Sequence, residues 1–375
     1  MLPYGKQHID EDDIKAVSEV LRDTYLTTGP KVSEFEKKIA EFTGSKYAVA
    51  VNSGTAALHC AIKALGISKG DEVLVPAISF VASANCVLYE QGVPVFVDIN
   101  PDTLNIDLDK IKENITDKTK AIIVVHFAGQ LCEMEKIRKI ADEHKLKVIE
   151  DAAHAIGTKD VGKYGDLATF SFHPVKNMTT GEGGAVITKC KEYYETMKTF
   201  RTHGITIDYK EREKTGGYSY DVSMLGYNYR LTDIQCALGI SQLKKLPGFI
   251  EKRKQWAKLY DDLFEFNDCI EPLKQVNDNS YHIYVVKLHG VNRDDVFKEL
   301  RKKNIIANVH YKPIYLMSLY QKLGYTKGLC SVSEKMYEQI ITLPMYPSLT
   351  TDNIKYVVSS LNNVIKDLRS LERIK

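Results

Sequence analysis

Short apolar runs rich in β-branched residues recur along the first half of the chain, separated by stretches of mixed polarity. DEVLVPA (71–77), VPVFVDI (93–99), KAIIVVHF (120–127), KVIEDAA (147–153), LATFSF (167–172) and GAVIT (184–188) are the clearest. Runs this continuous suit strands buried on both faces, and an intervening segment such as EMEKIRKIADEHK suits a crossover helix. The pattern predicts a mostly parallel sheet in an α/β domain, whose ligands would gather at the carboxyl ends of the strands.

After about residue 245 the texture changes. FIEKRKQWAKLYDDLF predicts a charged helix, followed by a strand over 280–288, a helix over 293–304, a strand over 305–311 and a last helix from about Asp352 to Leu368. This reads as a small α+β domain (246–375) appended to a large one (1–245). The polar stretch GITIDYKEREKTGGYSYDVSM (204–224) predicts a long mobile loop, and structureless loops of such length are more often functional than not.

Size and composition agree with two domains and narrow the partners. The chain has 375 residues, more than one core usually serves. It is 44% hydrophobic and 27% charged, with a net charge of +2, so neither nucleic acid nor an anionic membrane surface is implied as partner. The first residues, MLPYGKQHIDEDD, lack an apolar signal core, and no later run approaches a membrane span, which predicts a cytoplasmic protein. Seven cysteines are scattered without CxxC or paired His/Cys spacing, so free thiols and no metal site are expected.

Three stretches carry candidate chemistry. VAVNSGTAALHCAIKAL (49–65) predicts a strand, a turn and a helix beginning near Thr55. Amides of Gly54, Thr55 and Ala56 at that helix start could hold a phosphate, although the same turn would also serve as an ordinary cap made by Ser53 or Thr55. KVIEDAAHAIG (147–157) sets Glu150 and Asp151 side by side at a strand end. Neighbours on a strand face opposite ways, so only one of them can enter a given site. Its carboxylate would need a cation, such as a protonated pyridine nitrogen or a structural lysine.

FSFHPVKNMTTGEGG (170–184) places Lys176 just past a strand end, against Phe172, Pro174 and Val175. Partial desolvation there would lower its pKa and free the amine as a nucleophile, although a lysine near glycines, taken alone, is more often a surface residue. The threonines and glycines that follow would allow close backbone approach to a ligand. Absent are GxxxxGK[ST], GxGxxG after a strand, GxSxG and HExxH, which tells against ATP-driven, hydride-transfer, esterase and zinc-protease chemistry. A phosphate turn, a strand-end carboxylate and a loop lysine, in that order, are what pyridoxal 5'-phosphate (PLP) requires.

With these stretches the chain resembles the DegT/DnrJ/EryC1/StrS family of PLP-dependent sugar aminotransferases. LTTGPKVSEFE (26–36), PAISFVASAN (76–85), RTHGI (201–205), GYNYRLTDIQCALGISQL (226–243), NVHYKPIY (308–315) and LPMYPSLT (343–350) extend the likeness over nearly the whole chain. The resemblance implies fold type I, the aspartate aminotransferase-like fold, with a large mostly parallel seven-stranded sheet domain and a small C-terminal α+β domain. It implies Lys176 as the Schiff-base lysine and proton carrier, Asp151 as partner of the pyridine nitrogen, Phe80 stacked on the ring and His154 near its other side. Phosphate contacts would come from Gly54, Thr55, Ala56 and Ser171, and from Asn228 of a neighbouring subunit in an obligate homodimer with shared active sites. Thr232 and Gln235 in TDIQ read as a capping box, a structural role. Arg230, His310 and Tyr311 are candidates for substrate binding.

The reaction implied moves the amino group of L-glutamate to the C4 keto group of a UDP- or dTDP-linked 4-keto-6-deoxy sugar. FSFHPVK, HGIT and NVHYKPIYLMSLYQKLGY look closest to the 4-aminotransferases of pseudaminic acid synthesis, which act on a UDP-linked N-acetylated keto sugar. That group often reads NSAT where this chain has NSGT, so viosamine-type and GDP-perosamine-type relatives stay open. A 3-dehydratase of the same fold would carry a histidine in place of Lys176, and a non-catalytic homologue would have no use for Lys176, Asp151, Ser171 and Asn228 together.

Overall fold

Each apolar run becomes a strand because both of its faces are covered. In the computed structural model, which describes residues 1–206 and 218–372, the strands in chain order are β1 (Leu2–Pro3), β2 (Tyr47–Val51), β3 (Glu72–Pro76), β4 (Val93–Val97), β5 (Thr119–Val125) and β6 (Lys147–Asp151). They continue as β7 (Leu167–Ser171), β8 (Gly184–Thr188), β9 (Ile270–Pro272), β10 (Tyr284–Leu288), β11 (Ile305–Ile306) and β12 (Ile340–Leu343). A seven-stranded sheet has the order β2-β8-β7-β6-β5-β3-β4. The pairs within β7-β6-β5-β3-β4 are parallel, and β8 runs antiparallel to both its neighbours.

Alternate residues of these strands enter two different cores. Leu74, Ile122, Val124, Val148 and Phe170 pack on one face with the helices Pro30–Thr43 and Met134–Glu143. Val73, Val75, Ala121, Ile123 and Ile149 pack on the other with the helices Gly54–Ala64 and Ala82–Tyr89. This two-sided burial is the physical reason the strands lack polar alternation.

The C-terminal part has its own sheet, β12-β10-β9, and its own core around Tyr260, Val286, Leu300 and Leu361. The helix Asp233–Phe264 runs unbroken through residue 245, with Pro247 inside it. Two elements come out shorter than their sequence suggests. β10 begins only at Tyr284, because Ser280 and Tyr281 are turned aside: Ser280 N–H donates to Gly129 O and Tyr281 has φ +48°. β11 ends at Ile306, where the chain leaves its parallel pairing with Leu2–Pro3 and runs irregularly to Pro313, a residue with no N–H to give a ladder. That irregular stretch enters the candidate site. Most of the expected loop 204–224 lies outside the described residues.

Candidate active site

Strand register assembles the site before any side chain is considered. Asp151 ends β6 opposite Val125 and Thr169, Ser171 ends β7 opposite Gly184, and Gly184 in turn faces Val51 at the end of β2. Three carboxyl-terminal features therefore share one edge: the turn after β2, the carboxylate of β6 and the loop after β7. They open on a cavity of about 640 Å³, whose walls include Gly54, Thr55, Asp151, His154, Ser171 and Lys176.

Adjacent acids on β6 take opposite faces, as strand alternation requires. Asp151 lines the cavity; Glu150 points into the opposite core and accepts hydrogen bonds from His126 Nε2 at 2.9 Å, Gly162 N at 2.8 Å and Gly165 N at 2.6 Å. Asp151 accepts from Ser83 Oγ at 2.7 Å and from Ala153 N at 3.2 Å. Burial pushes its pKa up, against the opposing pull of those donors and of Lys176.

Lys176 sits on the loop after β7, held by its own N–H to His173 O at 2.9 Å and by Thr180 N–H to Phe172 O at 3.0 Å. Desolvation brings its ammonium down to about 8, while the Asp151 charge works the other way. Among the described residues the two form no contact ion pair, yet each shifts the other. Amine and carboxylate thus line the same cavity without pairing.

The turn after β2 is built for close approach. Ser53 caps the helix Gly54–Ala64 through its hydroxyl, which accepts Ala56 N–H at 3.1 Å. That occupies the Ala56 amide and leaves Gly54 and Thr55 as the cavity-lining residues of the expected three. A Cβ on Gly54 would stand 2.8 Å from Ser171 Cβ and 3.1 Å from its hydroxyl, so only glycine lets the helix start and Ser171 share this corner. Two of the glycines after Lys176, Gly183 and Gly184, do something other than clear space for a ligand, while a Cβ on Gly181 would meet nothing within 4 Å. A Cβ on Gly184 would meet Ser53 O at 2.5 Å, and one on Gly183 would clash with Thr180 Oγ1, so these two let protein segments pack against each other.

The far wall comes from the irregular stretch after β11. Tyr311 hydroxyl lies 3.0 Å from His154 Nε2, and His310 Nδ1 lies 2.8 Å from Thr342 Oγ1. Burial pushes the His154 imidazole well below its usual range and His310 to about 3, the Lys176 charge adding to both. His154 Nδ1 is buried and has no partner among the described residues. Phe80 stands at the rim, 57% exposed, its ring centroid 6.3 Å from that of Tyr311; it is no core filler.

Sequence reasoning placed Gly54, Thr55, Phe80, Asp151, His154, Ser171, Lys176, His310 and Tyr311 here, and all line one cavity. Asn228 and Arg230 do not line it; Asn228 is exposed, its carbonyl accepting Asn52 Nδ2 at 3.2 Å. Thr232 and Gln235 form the capping box of the helix Asp233–Phe264. Residues not anticipated include Tyr4, from the first turn of chain, and the buried His282, whose ring centroid lies 4.4 Å from that of His154. Also unanticipated was the pair Ser79 and Ser83 behind Asp151. Their i, i+4 spacing in PAISFVASAN is a visible signal, but one that means a shared helical face and nothing more specific.

Residues 7–362 match the model of the DegT/DnrJ/EryC1/StrS aminotransferase family. A UDP-4-amino-4,6-dideoxy-N-acetyl-β-L-altrosamine transaminase of Campylobacter jejuni is 37% identical over 382 residues, covering 98% of this chain and 99% of that protein. Among solved structures, Spr1654 of Streptococcus pneumoniae in its PMP-form superposes with a TM-score of 0.94 at 32% identity, over 98% of this chain and 100% of the other. Helicobacter pylori PseC, an aminotransferase involved in the biosynthesis of pseudoaminic acid, gives 0.92 at 36% identity, over 98% and 99%.

Proposed function

The chain belongs to the DegT/DnrJ/EryC1/StrS aminotransferase family, and from that premise we propose which amino group it moves and onto what. It is a PLP-dependent sugar aminotransferase of fold type I. Our reading is that L-glutamate gives its amino group to the C4 keto carbon of a UDP-linked N-acetylated 4-keto-6-deoxy sugar. The Campylobacter relative, matched end to end and named for a UDP-linked N-acetyl 4-amino sugar, supports that choice.

The residues present fit the cofactor. Amine and carboxylate line one cavity without forming an ion pair, the Gly54 corner is one that a Cβ would fill, and His154 Nδ1 is a buried polar atom without a partner among the described residues. Gly54 and Thr55 amides with the Ser171 hydroxyl would hold the phosphate, Phe80 would cover one ring face, and Asp151 would hold a proton on the ring nitrogen. Bound there, the cofactor supplies an aldehyde carbon to take up an amine and a ring that withdraws electrons.

Lys176 would form the covalent link and then carry the proton, for which an amine near neutrality is suited. Its place is the observation that carries this role: Lys176 lines one cavity with Asp151, Gly54 and Ser171, and desolvation there lowers its ammonium below the usual lysine range. Asn228, exposed here, would reach the phosphate of a second copy, making the active unit a homodimer; Arg230 lies close by in sequence and would serve the same shared site.

Single-turnover amination of UDP-, dTDP- and GDP-linked 4-keto sugars, with the enzyme first charged by L-glutamate, tests the substrate. The UDP-linked N-acetylated sugar should react fastest. Equal rates across the panel would contradict the assignment, and a dTDP- or GDP-linked winner would replace it with the viosamine or perosamine type.

A further inference from the structure

Ser79 and Ser83 lie four residues apart where the chain leaves β3 and enters the helix Ala82–Tyr89, and both are buried. Their hydroxyl oxygens are 2.7 Å apart, and Ser83 Oγ is 2.7 Å from Asp151 Oδ2. A serine hydroxyl has a single hydrogen. With that of Ser83 committed to the carboxylate, the hydrogen between the serines must belong to Ser79. The bonds then all run one way, Ser79 to Ser83 to Asp151, each link polarising the next. Ser79 and Asp151 line the cavity, whereas Ser83 does not.

We propose that Ser83 is a positioning residue that keeps Asp151 ionised and oriented toward the cavity, with Ser79 as the donor that reinforces it. The inference rests on the role given to Asp151 above, for only a charged carboxylate can hold a proton on a ring nitrogen. The balance of forces at Asp151 is what makes one hydroxyl matter. Burial, the largest influence, favours the neutral acid; Lys176 from the loop after β7 and His126 from the end of β5 favour the anion. Cys86, on the same helix as Ser83, and Tyr311 both act on Asp151, and burial pushes both up, so both stay neutral and neither adds a negative charge that would oppose its ionisation. The Ser83 hydroxyl and the Ala153 amide are the direct donors, and a hydrogen bond to a charged group corresponds to about one to two pKa units.

The test is an infrared titration of the full chain freed of cofactor, following the protonated-carboxyl stretch that Asp151→Asn removes. Ser83→Ala should raise its midpoint by about one to two units, Ser79→Ala by less, and Ser83→Thr, which keeps the hydroxyl, should match the wild type. In the holoenzyme, Ser83→Ala should lower kcat about tenfold with KM for L-glutamate little changed, and Ser83→Thr should restore it, as expected for loss of one charged hydrogen bond. An unshifted midpoint in Ser83→Ala, or a shift reproduced by Ser83→Thr, overturns the proposal; if Ser83→Ala does not fold, an unshifted Ser79→Ala does so. A shifted midpoint with unchanged turnover supports the serine chain and tells instead against the role given to Asp151.

Discussion

The two faces of β6 treat neighbouring carboxylates in opposite ways. Glu150 is fully enclosed, and its network is complete: His126 and two backbone amides donate to it, and His126 Nδ1 in turn takes Cys132 N–H at 3.2 Å. Everything it touches belongs to the protein, and what it does is tie β6 to the end of β5 and to the turn at 162–165. Asp151, one residue on, keeps two donors on the protein side and lines a cavity together with Lys176. Burial alone therefore does not mark a functional carboxylate. The mark is a buried acid that keeps protein donors on one side and lines a cavity it shares with a lysine on the other.

Exchanging the roles of the two faces by mutation tests this contrast. Lys176→Ala should have the largest effect on chemistry: loss of both the link and the proton carrier should lower turnover by about 10⁴-fold or more with the fold intact. Turnover assays beside circular dichroism check it. Asp151→Asn, nearly the same shape without the charge, should lower turnover by about 10² to 10³.

The same substitution has a second consequence in the cofactor-free chain. There the Lys176 ammonium loses protons as pH rises through about 8, so the rate of covalent PLP uptake, trapped with borohydride, should climb through that pH. The Asp151 charge favours the protonated amine, so Asp151→Asn should move the climb to lower pH. A climb that stays where it was would mean the two groups do not sense one another.

Glu150→Ala should show the reverse profile. Stripping a buried, fully bonded carboxylate should cost about 3 to 5 kcal/mol of stability, read by denaturant unfolding. Turnover of the protein that remains folded should change far less than in Asp151→Asn. Gly54→Ala should be the mildest of the set: its Cβ would crowd Ser171, and PLP should be held about tenfold more weakly by equilibrium titration.

Much of this was legible in the sequence because it depends on local chemistry. Continuous apolar runs gave the strands of the large sheet, and alternation along KVIED required that only one acid of the pair enter a site. What escaped depends on contacts between distant segments. Ser83 looks like any small helix residue until β6 is laid beside it, and His282 like any core histidine until it meets His154. Tyr4 reaches the cavity only because Leu2–Pro3 pairs with β11, a two-residue strand too short to leave a periodic signal. Asn228 and Arg230 came from the family resemblance alone, and neither lines this cavity.

The central claim is that the Lys176 cavity moves nitrogen from an amino acid to a sugar. Its most direct test is the transfer of ¹⁵N from L-[¹⁵N]glutamate to a UDP-linked 4-keto-6-deoxy N-acetyl sugar, followed by mass spectrometry in the wild type and in Lys176→Ala. We expect labelled amino sugar from the wild type and none from Lys176→Ala. Label appearing equally in both, or in neither, would contradict the claim.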